Sequence, residues 1–268
     1  MEKTLTILIK GAGEKASAVA HKLFSSGYKK VIMTDIAYPL AERRGVCFCE
    51  AAIEQKKEVK GITAEKAEPS VDSVNTLLAK DIIPLLITPD NDLINSICPD
   101  IIIDSILAKK NTGTSIWQAP LVIALGPGFN AGKDVHYVIE TNPNIPELGK
   151  IIQEGSAEEH TGIPTEVLGK SLERLLRSPG SGTLNMYKDI GDPVEKGETI
   201  GEAGGRELIS PLSGFVWGII RTPADVKEGQ KLGDILPGND IGPCYEITPQ
   251  AKIITKGVID AIELKFPH

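Results

Sequence analysis

No apolar run in the sequence approaches the ~20 residues of a membrane span, so no membrane partner is expected. There is no basic excess either. A formal net charge of −7 argues against a nucleic-acid surface, because phosphate contacts need patches rich in lysine and arginine. Cysteine is scarce: Cys47, Cys49, Cys98 and Cys244 form no Cys-x-x-Cys pair, and nothing suggests a disulfide framework. The histidines, His21, His136, His160 and His268, show neither HExxH nor His-x-His spacing, so no metal site is expected. The first residues, MEKTLTILIKGAGEK, enter a strand pattern directly and carry no signal-peptide pattern. A cytoplasmic protein is the expectation.

What remains is 268 residues, 41% hydrophobic and 24% charged. That is ordinary soluble-protein usage, with length enough for a sizeable core and two domains.

The stretch Pro120 to Glu140, PLVIALGPGFNAGKDVHYVIE, reads as strand, glycine-rich loop, strand. Leu121 to Leu125 is a continuous apolar run, as in a strand covered on both faces. Gly126-Pro127-Gly128 turns the chain, Phe129 to Asp134 form a polar tip, and Val135 to Ile139 begin the next strand. Loops at the carboxyl ends of central strands are where open α/β sheets bind ligands. Two readings stand. One is an anion- or nucleotide-facing loop carrying Asn130, Gly132, Lys133 and Asp134. The other is an ordinary tight turn. A phosphate-binding P-loop is excluded, since it needs Gly, four residues, then Gly-Lys-Ser/Thr. Here Pro127 stands in the first glycine's place, Asp134 replaces the hydroxyl, and a strand follows instead of a helix.

Near the N-terminus, the strand Leu5 to Ile9 leads into Gly11-Ala12-Gly13-Glu14-Lys15-Ala16 and a helical stretch, Ser17 to Ser26. A strand at Val31 to Met33 then ends close to Asp35. This matches the G-x-G-x-x-G/A dinucleotide fingerprint in its proper context. Gly11 and Gly13 would let the backbone approach a pyrophosphate, and the helix N-terminus offers N–H groups to an anion. Asp35, 24 residues after Gly11, could accept from a ribose hydroxyl. The competing reading is a turn kept for packing alone. Arg43 and Arg44 could hold a phosphate or solvate a loop. Cys47 and Cys49 would share one face of a strand at Val46 to Phe48. They read as a sulfur- or selenium-handling pair or as two small buried hydrophobes. Asp104, Lys109 and Lys110 fall near strand carboxyl ends. Glu158, Glu159 and His160 read as acid–base groups or as a solvated loop. Pro84 inside Ile82 to Ile87 hints at an edge strand or a bulge.

Residues 183–238 contain a repeat. Val194 to Glu202 (VEKGETIGE) matches Val226 to Asp234 (VKEGQKLGD) at an offset of 32, which suggests a small all-β unit with pseudo-two-fold symmetry. The pattern resembles the biotinyl/lipoyl barrel-sandwich family through Gly191-Asp192-Pro193-Val194, Gly197, Ser210-Pro211-Leu212-Ser213-Gly214 and Val226-Lys227-Glu228-Gly229. That family carries its cofactor on a hairpin lysine. Thr199 to Leu208 holds no lysine, so a structural or docking version of the fold is expected, not a swinging arm. After it, Thr248 is a good N-cap and Pro249 suits a first helical position.

The expected fold class is α/β, a Rossmann-like, mostly parallel sheet plus a small barrel-sandwich domain. The expected boundaries are 1–155, a connecting segment 156–182, the barrel-sandwich at 183–240, and a C-terminal helix within 241–268 that packs back. Nearly the whole chain resembles the selenium-dependent molybdenum hydroxylase accessory (YqeB-type) family. The matching pieces are Ile9 to Gly13, Leu125 to Asp134 (LGPGFNAGKD), Val138-Ile139-Glu140-Thr141, Thr161 to Pro164, Ser178-Pro179-Gly180 and Ile190-Gly191-Asp192. The resemblance implies a maturation role, with a molybdenum hydroxylase as partner. It also implies a dinucleotide or molybdopterin-type cofactor held through Gly11, Gly13, Gly126, Gly128 and Lys133. Two other classes compete. An NAD(P)-dependent oxidoreductase would need an acid–base group, yet there is no Tyr-x-x-x-Lys pair and His136 alone lies near a candidate loop. A nucleotide-sensing module would need no chemistry. A homo-oligomer is compatible with any of these, and no catalytic residue is assigned.

Overall fold

A computed structural model describes residues 4–159 and 161–267; His160 and His268, named above, lie outside them. The chain divides into two units. One takes Met1–Pro39, Cys47–Thr161 and Thr248–His268, the other Leu40–Val46 and Gly162–Ile247.

The apolar runs become the centre of the larger unit. β1 (Ile7–Lys10), β2 (Val31–Asp35), β3 (Lys56–Val59), β4 (Ile62–Lys66), β5 (Ile83–Ile87), β6 (Ile101–Asp104), β7 (Leu121–Leu125), β8 (Tyr137–Ile139) and β9 (Ile151–Ile152) form one sheet. Its order is β3-β4-β5-β2-β1-β6-β7-β8-β9. Ile7 to Ile9, Ile101 to Ile103 and Leu121 to Leu125 are fully buried, as strands covered on both faces must be. The helices are α1 (Glu14–Ser25), α2 (Ala51–Glu54), α3 (Val71–Leu78), α4 (Asn91–Ile97) and α5 (Pro249–Lys265). Val74 and Leu77 of α3 join Leu8, Ile32, Leu86, Ile102 and Val122 in one core. α5 lies against α1, β7 and β8. Thr248 caps it by accepting from the Ala251 N–H at 3.3 Å, and its buried face is Ile254, Val258, Ala261 and Ile262.

The expected fold class does not form. The sheet is mixed: β4 to β8 run parallel in the centre, while β3 pairs β4 and β9 pairs β8 antiparallel. A tight Lys60-Gly61 turn folds β4 back on β3, and residues 140–150 return the chain from β8 to β9; connections this short favour antiparallel pairing. In the rest of the chain, two four-stranded antiparallel sheets replace the small appended barrel. Other local readings also change. Val46 to Phe48 is no strand, because Arg44–Val46 and Phe48–Glu50 are single 3₁₀ turns. Pro84 sits in an interior strand. It precedes the β2–β5 ladder, which begins at Leu85, so its missing N–H costs that ladder nothing. α4 had a legible start in Asp90, whose carboxylate accepts from the Leu93 N–H at 2.8 Å.

In the smaller unit, one sheet is β10 (Leu175–Arg177), β17 (Lys231–Pro237), β15 (Gly214–Ile219) and β12 (Pro193–Val194). The other is β14 (Arg206–Ile209), β13 (Thr199–Ala203), β11 (Gly182–Met186) and β16 (Ala224–Val226). The repeat maps one onto the other: β11 onto β15, β12 onto β16, β13 onto β17. Gly201 and Gly233, 32 apart, both take positions where a Cβ would strike a facing carbonyl, of Asn185 and Gly218 respectively. Leu184, Ile200, Val216, Leu232 and Ile235 fill the core.

Leu40–Val46 is stitched into this unit by its own side chains. The Arg43 guanidinium donates to the carbonyls of Pro243 (2.9 Å) and Glu246 (3.0 Å) and lies 4.6 Å from the Trp217 ring centroid. Arg174, paired with Asp234 at 2.7 Å, also approaches the Trp217 ring, at 4.9 Å. Arg44 bonds Asp189 and the Ile219 carbonyl, and Glu42 pairs with Lys231 at 2.6 Å. Arg43→Ala removes a buried charged donor and a cation–π contact, so it should cost about 2–4 kcal/mol in urea unfolding followed by tryptophan emission. Arg43→Lys should recover little, because an ammonium lacks the planar fork.

Candidate functional site

Strand order reverses at β1. The chain runs outward through β2 and β5 on one side, then returns to lay β6, β7 and β8 on the other. The crevice outside the carboxyl ends of β1 and β6 is therefore the topological switch point, where open α/β sheets take ligands. Lys10 and Asp104 are register partners there. Lys10 Nζ donates to Thr114 Oγ1 at 2.8 Å and Gln118 Oε1 at 2.9 Å. Thr114 Oγ1 donates to the buried carboxylate of Asp104 at 2.6 Å. Burial lowers the Lys10 pKa below its usual range, opposed by the Asp104 charge.

The predicted glycines are drawn together by one segment, Ser105 to Lys110. Gly11 has φ +93°, and a Cβ there would lie 2.8 Å from the Ser105 carbonyl oxygen. Gly128 has φ +100°, and its Cβ would lie 2.5 Å from the Lys110 nitrogen. A Cβ on Gly126 would meet Thr141 Oγ1 at 2.5 Å and the Leu107 side chain at 3.5 Å. Gly11 and Gly128 serve close approach of backbone to backbone, and Gly126 makes room for the Thr141 side chain. Gly13 differs: its φ is −69°, and a Cβ there would meet nothing within 4 Å. It is the N-cap of α1 and provides no side-chain cap. Asp35 bends back onto this turn, accepting from the Ala12 N–H at 2.8 Å and the Ile36 N–H at 2.7 Å. Burial raises its pKa, against the pull of those two N–H groups.

Asn130, Gly132 and Lys133 lie in a closed turn two strands away from β1. Asp134 accepts from the Asn130 N–H at 2.9 Å, the Asn130 carbonyl accepts from Asp134 N–H at 2.8 Å, and Gly132 N–H donates to Val135 at 2.8 Å. The exposed Lys133 is at its tip. Cavities of about 620 Å³ beside β9 and about 510 Å³ near Trp117 are lined by none of these predicted residues.

Other candidates resolve differently. Cys47 and Cys49 are fully buried, pinned by Phe48 N–H to Ser17 Oγ (2.8 Å) and Cys49 N–H to the Ala12 carbonyl (3.0 Å). A sulfur- or selenium-handling thiolate needs exposure, so that reading is overturned. Arg43 and Arg44 hold carbonyls and Asp189 in the smaller unit. Glu158 contributes its backbone N–H to Glu140 Oε2 at 2.8 Å. Glu140, missed by sequence reasoning, is a buried knot that also takes the N–H groups of Thr141 and Asn142. Lys10, Thr114 and Gln118 were missed too. A signal existed for Thr114: Asn111 caps the turn by accepting from Gly113 and Thr114 N–H, each at 2.8 Å. Among the described residues, no three His, Cys, Asp or Glu side chains gather as a metal-binding group, and no helix is long and apolar enough to cross a membrane.

No family model matches the sequence. Over 256 residues it is 38% identical to uncharacterized protein YqeB of Escherichia coli (strain K12). The chain is similar to YqeB along nearly its whole length. The match takes 96% of this chain and 47% of YqeB, so the chain spans about half the length of that relative. YqeB is itself described as uncharacterized, and the relationship brings no activity with it. Among solved structures, an aspartoacylase family protein from Mesorhizobium loti aligns over 87% of this chain and 85% of its own, at 14% identity and a TM-score of 0.29. A succinylglutamate desuccinylase/aspartoacylase from Rhodobacter sphaeroides aligns over 89% and 87%, at 13% identity and a TM-score of 0.28.

Two expectations follow from the geometry. Gly11→Ala meets both a left-handed backbone and the Ser105 carbonyl, so it should cost about 1–3 kcal/mol. Gly13→Ser supplies an N-cap in open space, so it should stay within a few tenths of a kcal/mol of wild type; chemical denaturation of both variants checks the contrast. Lys10 binds its proton more weakly folded than unfolded. Stability should therefore rise with pH from the lowered folded pKa up to the ordinary 10.5, because the unfolded chain holds more protons there. Lys10→Met should flatten that rise in unfolding curves taken across alkaline pH.

Proposed function

We propose that the larger unit binds a nucleotide or other phosphate-bearing cofactor at the carboxyl ends of β1 and β6. A dinucleotide and a molybdopterin-type cofactor are the two classes in view. The reading rests on one observation: α1 begins at the switch point without a side-chain cap, under open space at Gly13. The first-turn N–H groups of a helix have no intrahelical acceptors and carry the positive end of its dipole, so a phosphate suits them. Asp35 already takes the Ala12 N–H. Each of its oxygens keeps a lone pair, which fits a ribose hydroxyl better than a second phosphate. Lys10, tethered by Thr114 and Gln118, adds positive charge on the β1 side. Lys133 stands two strands away, within the same carboxyl edge, and is suited to the far end of an extended ligand.

In the cell this binding would serve the assembly of a selenium-dependent molybdenum hydroxylase, with that enzyme as partner. This part of the reading rests on the resemblance of the LGPGFNAGKD and VIET segments to the molybdenum hydroxylase accessory family. The test is a thermal-shift titration with NAD, NADP, ATP, CTP and a molybdopterin nucleotide. A ligand at 100 times its dissociation constant should stabilise by about 2.7 kcal/mol. Gly13→Val should abolish the shift, and Lys133→Ala should weaken it. No shift with any ligand, or one unchanged in Gly13→Val, would refute the site. Co-purification with a molybdenum hydroxylase tests the partner separately.

A further inference from the structure

The cavity of about 510 Å³ lies at the opposite edge of the same sheet. Pro99, Pro120 and His136, which line it, immediately precede or lead into β6, β7 and β8. Those strands are parallel neighbours, so the cavity sits at their amino ends, away from the crevice described above. Its volume falls within the range of small-molecule sites.

Three of its walls have matching chemistry. Trp117 is 90% exposed, although its backbone is fixed in a 3₁₀ turn closed by a reciprocal Ser115–Gln118 capping box. A large ring on a fixed backbone, left in solvent at a cavity rim, offers a face on which a planar ligand can stack. His136 is oriented from behind. The Val122 N–H donates to its Nδ1 at 3.0 Å, so the neutral ring must carry its hydrogen on Nε2. Protonating Nδ1 would set two N–H groups against each other. Burial and the charge of Lys265 both hold the ring pKa low. His136 is thus a neutral donor with a fixed tautomer. Cys98, which is exposed where Cys47, Cys49 and Cys244 are buried, closes a third side. None of the residues lining the cavity is Asp, Glu, Lys or Arg, so nothing there would neutralise a charged ligand.

We propose that this cavity is a second binding site, for an uncharged planar ring bearing a carbonyl, with the ring stacked on Trp117 and the carbonyl accepting from Nε2 of His136. Planarity follows from the indole face, the acceptor from the enforced Nε2–H tautomer, and neutrality from the uncharged walls.

Cys98 gives a direct reporter, since a colorimetric disulfide reagent reaches it in the folded chain while the other described cysteines are buried. Its labelling rate is measured with nicotinamide or benzamide as planar amide probes. Cyclohexanecarboxamide tests planarity and benzoate tests charge. Cys98→Ser confirms the labelled site. The planar amides should protect saturably, slowing labelling roughly tenfold at about ten times the dissociation constant. Both comparison compounds should protect less. In Trp117→Ala and in His136→Phe, each compared with its own unliganded labelling rate, the planar amides should no longer protect. Failure of both planar amides to protect would overturn the proposal. So would equal protection by cyclohexanecarboxamide, or protection that survives Trp117→Ala.

Discussion

The larger unit depends on the passage of Ser105 to Lys110 between two glycine turns. β6 must lie beside β1, and the chain that leaves it crosses both Gly11 and Gly128 at distances no Cβ tolerates. Leu107 and Lys109 take left-handed backbone, with φ of 60° and 59°, to make the crossing. Both are side-chain-bearing residues in a conformation that costs free energy, and packing over the two turns offsets it. The glycines that look like ligand cradles in the sequence are consumed in large part by this crossing. Gly13 alone among the close-set glycines faces open space, which is why the binding reading concentrates on the start of α1.

Much of this was legible in the sequence, for reasons that can be named. The runs at Ile7, Ile101 and Leu121 are apolar without alternation, and such runs have to be covered on both faces. Thr248-Pro249 announces a helix start through capping chemistry alone. The 32-residue repeat is visible because each copy needs glycine at the same turn and at the same close strand contact. Other features were hidden. Nothing local shows that the peripheral strands return antiparallel, since pairing direction is decided by distant partners. The Lys10–Thr114–Asp104 network joins residues about a hundred positions apart through a register fixed only by the folded sheet. The turn at Cys47 to Cys49 has strand-like composition, yet Ser17 and Ala12 capture its N–H groups and wind it into 3₁₀ turns.

The smaller unit shows how a discontinuous segment can be specified by side chains. Arg43 and Arg44 read as phosphate ligands or solvated charges, but their donors end on main-chain carbonyls and on Asp189. Two guanidiniums near one indole, one of them paired with Asp234, place charge in a buried setting. Such charge stays only where hydrogen bonds satisfy it. This arrangement fixes where Leu40–Val46 belongs. It leaves the basic pair no part in the phosphate chemistry assigned to the other unit.

The proposed site stands or falls with a ligand meeting the chain at the start of α1. The most direct test is amide chemical-shift mapping of the full chain, ¹⁵N-labelled, titrated with whichever nucleotide raises its melting temperature. The largest saturable changes should fall on the Gly13 to Ala16 N–H groups, with smaller ones at Ala12, Ile36 and Ile106, where Asp35 and Asp104 hold the turn and the crossing segment. Saturation with those amides unmoved, and the changes clustered elsewhere, would contradict the proposed site and leave the glycine turns with packing as their whole role.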